Sequence, residues 1–270
     1  MNTHEPMTRP PVQADSEVAI VSVRAVSQTF GSAASGVAAL RDVHVTIADG
    51  EFISVVGPSG CGKSTQLRII ADLLSPSEGT VLIRGRSPQE ATRRREIGMV
   101  FQSPVLYEWR SVRRNIELPL EVMGRPRQER RRRAEEMLEL VGLRQFANRY
   151  PWQLSGGMQQ RVSIARALSF EPVILLMDEP FGALDEISRE YMNQELQRIW
   201  SQTRKTVLFV THSVPEAVFL STRVIVMSPH PGRVVVEVDI DLPRPRTEET
   251  RTQPRYYELI TEVRQHLLGQ

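Results

Sequence analysis

The sequence has little cysteine, few aromatic residues and no long apolar run. Only one of its 270 residues is a cysteine, Cys61, so no disulfide can form within the chain, and a reducing compartment is the expected environment. No stretch approaches the roughly 20 apolar residues that a transmembrane helix requires. The longest apolar runs, such as Val173 to Met177, have the length of a strand. We therefore expect any work at a membrane to depend on other chains.

An excess of charge is also lacking. The chain has 34 Lys and Arg residues against 32 Asp and Glu residues, and so small a net charge gives no argument for nucleic acid binding. Aromatic residues make up only 6% of the chain and are not interleaved with its basic runs, so we expect no nucleic acid partner. The basic runs Arg93 to Arg95 and Arg130 to Arg133 are interpreted as solvated faces, with contact to anionic lipid headgroups as the alternative.

The order of short apolar runs predicts the fold class. Val173 to Met177 and Thr206 to Val210 are strand-like and enclose a helical pattern, which is typical of a parallel sheet with crossover helices. Leu40 to Ile47 alternates with period two, and the following Asp49-Gly50 dipeptide predicts a hairpin turn. We predict a flexible polar tail at 1–17, which lacks the apolar core of a secretory signal. A main domain is predicted at 18–241, with a helical subdomain at about 88–167. A C-terminal extension is predicted at 242–270, and it ends in an amphipathic helix.

A glycine-rich loop predicts a phosphate site. GPSGCGKST matches G-x-x-x-x-G-K-[ST], and it lies between an apolar strand and a helix. Its glycines allow backbone N–H groups to turn toward phosphate oxygens, and the helix N-terminus adds its dipole. We expect Lys63 to bridge the β- and γ-phosphates and Ser64 to hold Mg²⁺. The predicted nucleotide-binding residues are Gly57, Pro58, Ser59, Gly60, Cys61, Gly62, Lys63, Ser64 and Thr65.

Cys61 in this loop has two interpretations. A thiol near a helix N-terminus can be reactive, but a small filler at a variable position is the favoured interpretation. In either case we expect a thiol reagent at Cys61 to block nucleotide binding.

An acid pair follows the apolar strand in ILLMDEP, Ile174 to Pro180. Acids at the C-terminal end of a parallel strand face the ligand crevice. We expect Asp178 to lie beside Mg²⁺, through water, and Glu179 to act as general base on an attacking water. The alternative is a pair of solvated loop acids.

The segment LSGGMQQR, Leu154 to Arg161, indicates the class of protein. Together with the two motifs above it resembles the ABC ATPases, with Met158 where their LSGGQ signature most often has glutamine. The resemblance implies that Ser155 and the glycines contact the γ-phosphate of ATP bound to a second copy of the chain; an ordinary helix cap is the alternative. The implied signature residues are Leu154, Ser155, Gly156, Gly157, Met158 and Gln159.

The resemblance assigns further roles along the chain. Phe30 lies where the family stacks an aromatic ring on adenine, with a core aromatic as the alternative. Gln102 matches the Q-loop glutamine, which touches Mg²⁺ and senses the transporter. Asp185 matches the D-loop where two subunits meet, and a helix N-terminal acid is the other interpretation. His212 matches the switch histidine that bonds the γ-phosphate and is, with Glu179, the second implied catalytic residue.

Finer features resemble one branch of the family. The signature begins 90 residues after Ser64, which excludes the long coiled coils of the chromosome-maintenance relatives. The segments 99–122 and 228–246 are similar to importers of the nitrate, sulfonate and taurine type. The resemblance implies that Tyr107 and Trp109 lie where the coupling helix of a membrane subunit docks, although Tyr107 and Glu108 replace the leucine and proline that usually precede this tryptophan.

The expectation is an α/β fold with a P-loop NTPase core of the ABC ATPase type, an antiparallel β subdomain and an inserted α-helical subdomain. The implied function is hydrolysis of ATP, with Mg²⁺, by a homodimer that energises a bacterial importer for a small anionic or organic solute. Its implied partners are two integral membrane permease subunits and, indirectly, a periplasmic or extracellular solute-binding protein, at the cytoplasmic face of the inner membrane. A non-transport ABC protein acting on DNA or ribosomes is the alternative, and an exporter is a weaker one.

Overall fold

The structure is a computed structural model that describes residues 19–31 and 36–269. The predicted tail at 1–17 lies outside these residues. Within them, no helix is both long enough and apolar enough to cross a membrane.

The N-terminal part of the described chain contains a small antiparallel sheet. Its three strands, β1 (Ala19–Phe30), β2 (Val37–Ala48) and β4 (Glu78–Ile83), have the order β2-β1-β4. Alternate residues such as Val43, Val45 and Ile47 are buried, because successive side chains of a strand point to opposite faces. The predicted β subdomain is confirmed.

A second sheet of six strands carries the main core. Its strands are β3 (Phe52–Val56), β5 (Ile97–Val100), β6 (Ile174–Asp178), β7 (Thr206–Val210), β8 (Arg223–Met227) and β9 (Val234–Asp239). The order is β5-β6-β7-β3-β8-β9, parallel except for β9. Every residue of β3 and of β7 is buried, as expected of strands covered on both faces. The carboxyl ends of β6, β7 and β3 therefore lie side by side.

Nine α-helices are assigned within the described residues. They are α1 (Lys63–Ile70), α2 (Pro88–Arg93), α3 (Val112–Val122), α4 (Arg127–Leu140), α5 (Gly156–Leu168), α6 (Glu186–Thr203), α7 (Val214–Leu220), α8 (Glu248–Arg251) and α9 (Pro254–Leu268), with 3₁₀ turns at Arg144–Phe146 and Pro151–Gln153. Helix α9, the amphipathic helix predicted within 242–270, packs on the core through Tyr256, Leu259, Ile260 and Val263.

Three sequence predictions need correction. The predicted helical part at about 88–167 includes one strand, β5, which pairs with β6 in the main sheet. Asp49-Gly50 does not close a hairpin, since β2 and β3 belong to different sheets. The run Arg130 to Arg133 is not simply solvated: Arg130 pairs with Glu121, and Arg133 bonds the carbonyls of Leu168 and Ser169 at the end of α5.

Candidate active site

The glycine-rich loop connects the end of β3 to the start of α1. Gly60 and Gly62 have φ values of +77° and +96°, a conformation that residues with side chains rarely adopt. At Gly62 a Cβ would lie 2.8 Å from the carbonyl oxygen of Ala39, so β2 packs too closely for any larger residue. The loop delivers the chain into α1 at Lys63. The first N–H groups of a helix lack acceptors within it, so this end suits an anion.

Lys63 is held at the centre of the loop. Its Nζ donates to the carbonyl oxygens of Gly57 at 2.8 Å and Pro58 at 3.0 Å, and the side chain is buried. An ammonium group has three donors, and two loop carbonyls orient this one. The charge is thereby fixed inside the curve of the loop, as phosphate binding requires.

Ser64 and Asp178 bring two oxygen ligands together. The Ser64 hydroxyl donates to Asp178 Oδ1 at 2.7 Å, joining the first turn of α1 to the last residue of β6. Mg²⁺ prefers such hard oxygen ligands and usually keeps waters and phosphate oxygens in addition. These two residues therefore fit the ion. Among the described residues, Gln102 makes no hydrogen bond to either of them; its side chain lies against Gly182.

Glu179 and His212 form the acid–imidazole pair of the site. Glu179 Oε1 lies 2.6 Å from His212 Nε2, and His212 Nδ1 lies 3.5 Å from Lys63 Nζ. Glu179 has a left-handed φ of 47°, and its N–H donates to the carbonyl of Val210 at 3.0 Å, which turns the carboxylate toward β7. A carboxylate, an imidazole and an ammonium thus converge from the ends of three neighbouring strands.

These side chains line one cleft of about 200 Å³. The lining residues are Ala39, Ser59, Gly60, Gly62, Lys63, Ser64, Thr65, Glu179 and His212. A larger depression of about 480 Å³ lies along α9, lined by residues such as Tyr257, Glu258 and Thr261. It has no glycine loop, and the converging charges lie at the first cleft, which is therefore the candidate active site.

The family model for ABC transporters matches residues 40–182 of this chain, which include the glycine loop, the acid pair and the LSGG segment. The chain belongs to the ABC transporter family. It is an ATPase of the ATP-binding cassette type.

Named relatives agree with this assignment. An ATP-binding protein of Brucella abortus is 50% identical over 82% of this chain and 84% of its own length. The taurine import ATP-binding protein TauB of Rhizobium johnstonii is 49% identical over 84% of this chain and 87% of its own. The nitrate import ATP-binding protein NrtC of Synechococcus elongatus is 45% identical over 83% of this chain and 34% of its own.

Solved structures share the fold. A dimeric structure of a bacterial ABC transporter cassette superposes with a TM-score of 0.70 at 40% identity, over 82% of this chain and 98% of that one. A dimeric post-hydrolysis state bound to ADP and Pi has a TM-score of 0.70 at 39% identity, with the same coverage. The P-loop α/β architecture predicted for this ABC ATPase is confirmed.

The signature residues of this ABC ATPase do not line its own cleft. Ser155 is the N-cap of α5 and accepts from the N–H of Met158 at 3.3 Å, so the helix-cap interpretation describes its contacts within the chain. Gly156 and Gly157 lie beside Leu184 and Met192. Leu154 is buried, and Gln159 donates to its carbonyl oxygen. The signature loop consequently presents Ser155 and the glycines at a surface away from Lys63.

Asp185 caps the neighbouring helix. Its Oδ1 accepts from the N–H of Ser188 at 2.9 Å at the start of α6, and these hydrogen bonds with Ser188 lower the pKa of the exposed carboxyl. The helix N-terminal interpretation therefore holds within the chain. The position of Asp185 beside Leu184 also brings it close to the signature loop.

Two predictions about the nucleotide site are changed by burial. Phe30 is 46% exposed at the end of β1, which excludes the core-aromatic alternative, although the ring does not line the cleft. Cys61 is fully buried under Gly57 and Gly232, and burial raises the pKa of its thiol. Burial therefore favours the interpretation of Cys61 as a filler beneath the loop, and the block by a thiol reagent stays a prediction.

Sequence reasoning missed the residues that hold the loop containing Gln102, Tyr107 and Trp109. Buried Asn115 binds both the N–H and the carbonyl of Tyr107. From α5, Gln160 donates to the carbonyl of Phe101, and Arg166 donates to those of Pro104 and Val105. Polar residues on the inward face of α3 and α5 were the only available signal.

Proposed function

We propose that this ABC ATPase energises an importer for a small anionic or organic solute of the nitrate, sulfonate or taurine kind. Relatives named as taurine and nitrate import ATP-binding proteins, at 49% and 45% identity, support this class. The chain would act at the cytoplasmic face of the inner membrane with two integral membrane permease subunits, which receive solute from a periplasmic or extracellular binding protein.

Two copies of the chain form the complete catalytic unit. Ser155, Gly156 and Gly157 are absent from the lining of the cleft that holds Lys63. The N-terminus of α5, with its small residues, is suited to bind an anion. The cleft of the same chain does not supply that anion. A head-to-tail pair would place the signature of each copy against ATP in the other copy's cleft, and the relatives solved as dimers support this arrangement.

Hydrolysis of the β–γ bond proceeds by in-line attack of water. Glu179 orients and deprotonates that water, as general-base catalysis requires a carboxylate near the attacked phosphorus. Lys63 and His212 stabilise the charge that develops on the γ-phosphate. Ser64 and Asp178 would hold Mg²⁺, with Gln102 joining when its loop moves, and the bound ion would neutralise phosphate charge. Phe30 would stack on the adenine.

The proposed hydrolysis mechanism is supported by the position of Glu179 at the phosphate loop. Its carboxylate oxygen lies 2.6 Å from the His212 ring nitrogen. Substituting Glu179→Gln keeps the size of the side chain and removes the base. We expect ATP binding to persist while kcat falls about 100-fold or more. Size-exclusion chromatography with light scattering should then show an ATP-trapped dimer. The exposed Glu262→Gln on α9 is the matched control, and wild-type turnover in Glu179→Gln contradicts the assignment of the base.

A second experiment tests the importer. The tagged chain, purified from detergent-solubilised membranes of its native host, should carry an integral membrane protein with it. Deletion of the gene should abolish uptake of one solute among labelled nitrate, taurine and alkanesulfonates. ATPase stimulation by nucleic acid, without a membrane partner, would instead support the non-transport alternative.

A further inference from the structure

Glu216 is a buried carboxyl directly behind the His212 loop. It lies in the first turn of α7, is 4% exposed, and the proposed mechanism does not use it. Burial raises its pKa to about 7. A buried carboxyl is costly unless hydrogen bonds compensate, so the groups that it binds are informative.

The hydrogen bonds of Glu216 involve the residues on both sides of His212. The Thr211 hydroxyl donates to Glu216 Oε2, and the oxygen of the same hydroxyl accepts from the N–H of Ser213 at 3.0 Å. In return the Ser213 hydroxyl accepts from the N–H of Glu216 at 3.3 Å. In a capping box the acid reaches the N-cap N–H directly, whereas here Thr211 relays that contact. The residues before and after His212 are both fixed to Glu216.

The position of the His212 imidazole depends on the backbone at 211–213. The His212 side chain is 46% exposed, so packing alone does not hold it. Its two nitrogens must meet Glu179 on one side and face Lys63 on the other, at 2.6 Å and 3.5 Å. A small rotation of the 211–213 backbone would break both relations.

Glu216 also connects this loop to α6 and α8. Arg189 and Asn193 of α6 and Arg251 of α8 lie close enough to lower the pKa of the carboxyl against the effect of burial. Helix α6 begins after its N-cap Asp185. The carboxyl therefore lies where the histidine loop meets the helix that follows the D-loop.

We propose that Glu216 is a positioning residue which, through the Thr211 hydroxyl, fixes the backbone on both sides of His212 and holds its imidazole at the reacting phosphate. The inference rests on the proposed role of His212 at the γ-phosphate. Misplacement of a catalytic group by about 1 Å can cost about 100-fold in rate. Loss of the relay should therefore reduce turnover, while the phosphate loop continues to bind ATP.

The experiment compares Thr211→Val with Thr211→Ser in the full-length chain. Valine keeps the shape and removes the relay, whereas serine keeps the hydroxyl. We expect Thr211→Val to lower kcat at least about tenfold with the Kd for ATP changed less than about twofold, and Thr211→Ser to restore most of the turnover. Thr206→Val is the matched control, because Thr206 is as buried as Thr211 but lies at the start of β7, where its hydroxyl accepts from the N–H of Gly50.

A double-mutant cycle separates positioning from stability. In a His212→Ala background, Thr211→Val should lower kcat no further, since the histidine that it positions is gone. Wild-type kcat in Thr211→Val, or an equal further loss in the His212→Ala background, overturns the inference. If Thr211→Val does not fold, Glu216→Asp, whose shorter carboxyl cannot reach Thr211, takes its place in the cycle. Normal turnover in His212→Ala alone would instead contradict the proposed role of His212.

Discussion

Burial of the Glu216 carboxyl makes the stability of the chain depend on pH. Its pKa lies near 4.5 in the unfolded chain and is raised to about 7 in the folded one, chiefly by burial, while the Thr211 hydroxyl and the charges of Arg189 and Arg251 oppose the rise. Between these values the folded state binds a proton that the unfolded state does not. The stabilisation is therefore complete below pH 4.5 and is lost as the pH rises through 7.

We accordingly expect a loss of stability above neutral pH that Glu216→Gln abolishes. Between about pH 5.5 and about pH 8, wild-type protein should lose about 2 kcal/mol of unfolding free energy from this group, whereas the glutamine variant should lose much less. Urea unfolding at both pH values measures the difference. The exposed Glu262→Gln should keep the wild-type dependence, and a wild-type slope in Glu216→Gln would show that another group is responsible.

At this scale the sequence identifies residues whose local pattern carries the chemistry. Lys63, Glu179 and His212 each follow an apolar strand, so their convergence at one sheet edge could be predicted. Glu216 and Asn115 could not, because their burial depends on which helices pack over them. The same holds for Cys61, whose backbone carbonyl packs against Gly232 from a distant turn.

At the scale of elements, α7 is fastened at both ends. Its N-terminus carries the Glu216 relay, and its C-terminus is capped by two arginines of the 242–246 segment. Arg246, which is 4% exposed, donates to the carbonyls of Val218, Phe219 and Ser221, and burial lowers its pKa to about 9. Arg244 donates to the carbonyl of Leu220 and lies over the Trp200 ring.

Removing the Arg246 cap should therefore be costly. Arg246→Met keeps an apolar stem of similar length but leaves several buried carbonyls without a donor, and we expect a loss of about 3 kcal/mol in unfolding free energy. Urea unfolding at neutral pH measures this, where Arg246 is still charged. Arg264→Met on the exposed side of α9 is the control; equal losses in the two variants would mean that the cap contributes nothing specific.

Some strands could be predicted from the sequence and others could not. β6 and β7 could be predicted almost to the residue, because they are buried on both faces and have continuous apolar runs. β5 was missed because it has four residues and follows a run of arginines, so nothing local distinguishes it from the helices beside it. Its strand character comes from pairing with β6, which is distant in sequence.

For the whole molecule, the loop at 101–111 connects two surfaces. Tyr107 and Trp109 are 41% and 73% exposed, with ring centroids 4.9 Å apart. The same loop is bonded to Gln160 and Arg166 of α5, the helix that begins at the signature. We therefore expect a membrane partner that displaces the aromatic pair to move α5 as well, which is a physical route from that partner to the LSGG segment.

This route predicts that the aromatic pair serves the permease and not ATP. Tyr107→Ala combined with Trp109→Ala should abolish co-purification with the membrane subunits and solute uptake, while ATP hydrolysis by the isolated chain stays within about twofold of wild type, because neither ring lines the cleft. Exposed aromatic residues are the usual anchors of an interface. Tyr257→Ala, at a tyrosine of α9 that is 59% exposed, should leave both properties intact. If the double variant still binds the membrane subunits, the docking surface lies elsewhere; if it loses ATP hydrolysis, the loop supports the nucleotide site directly.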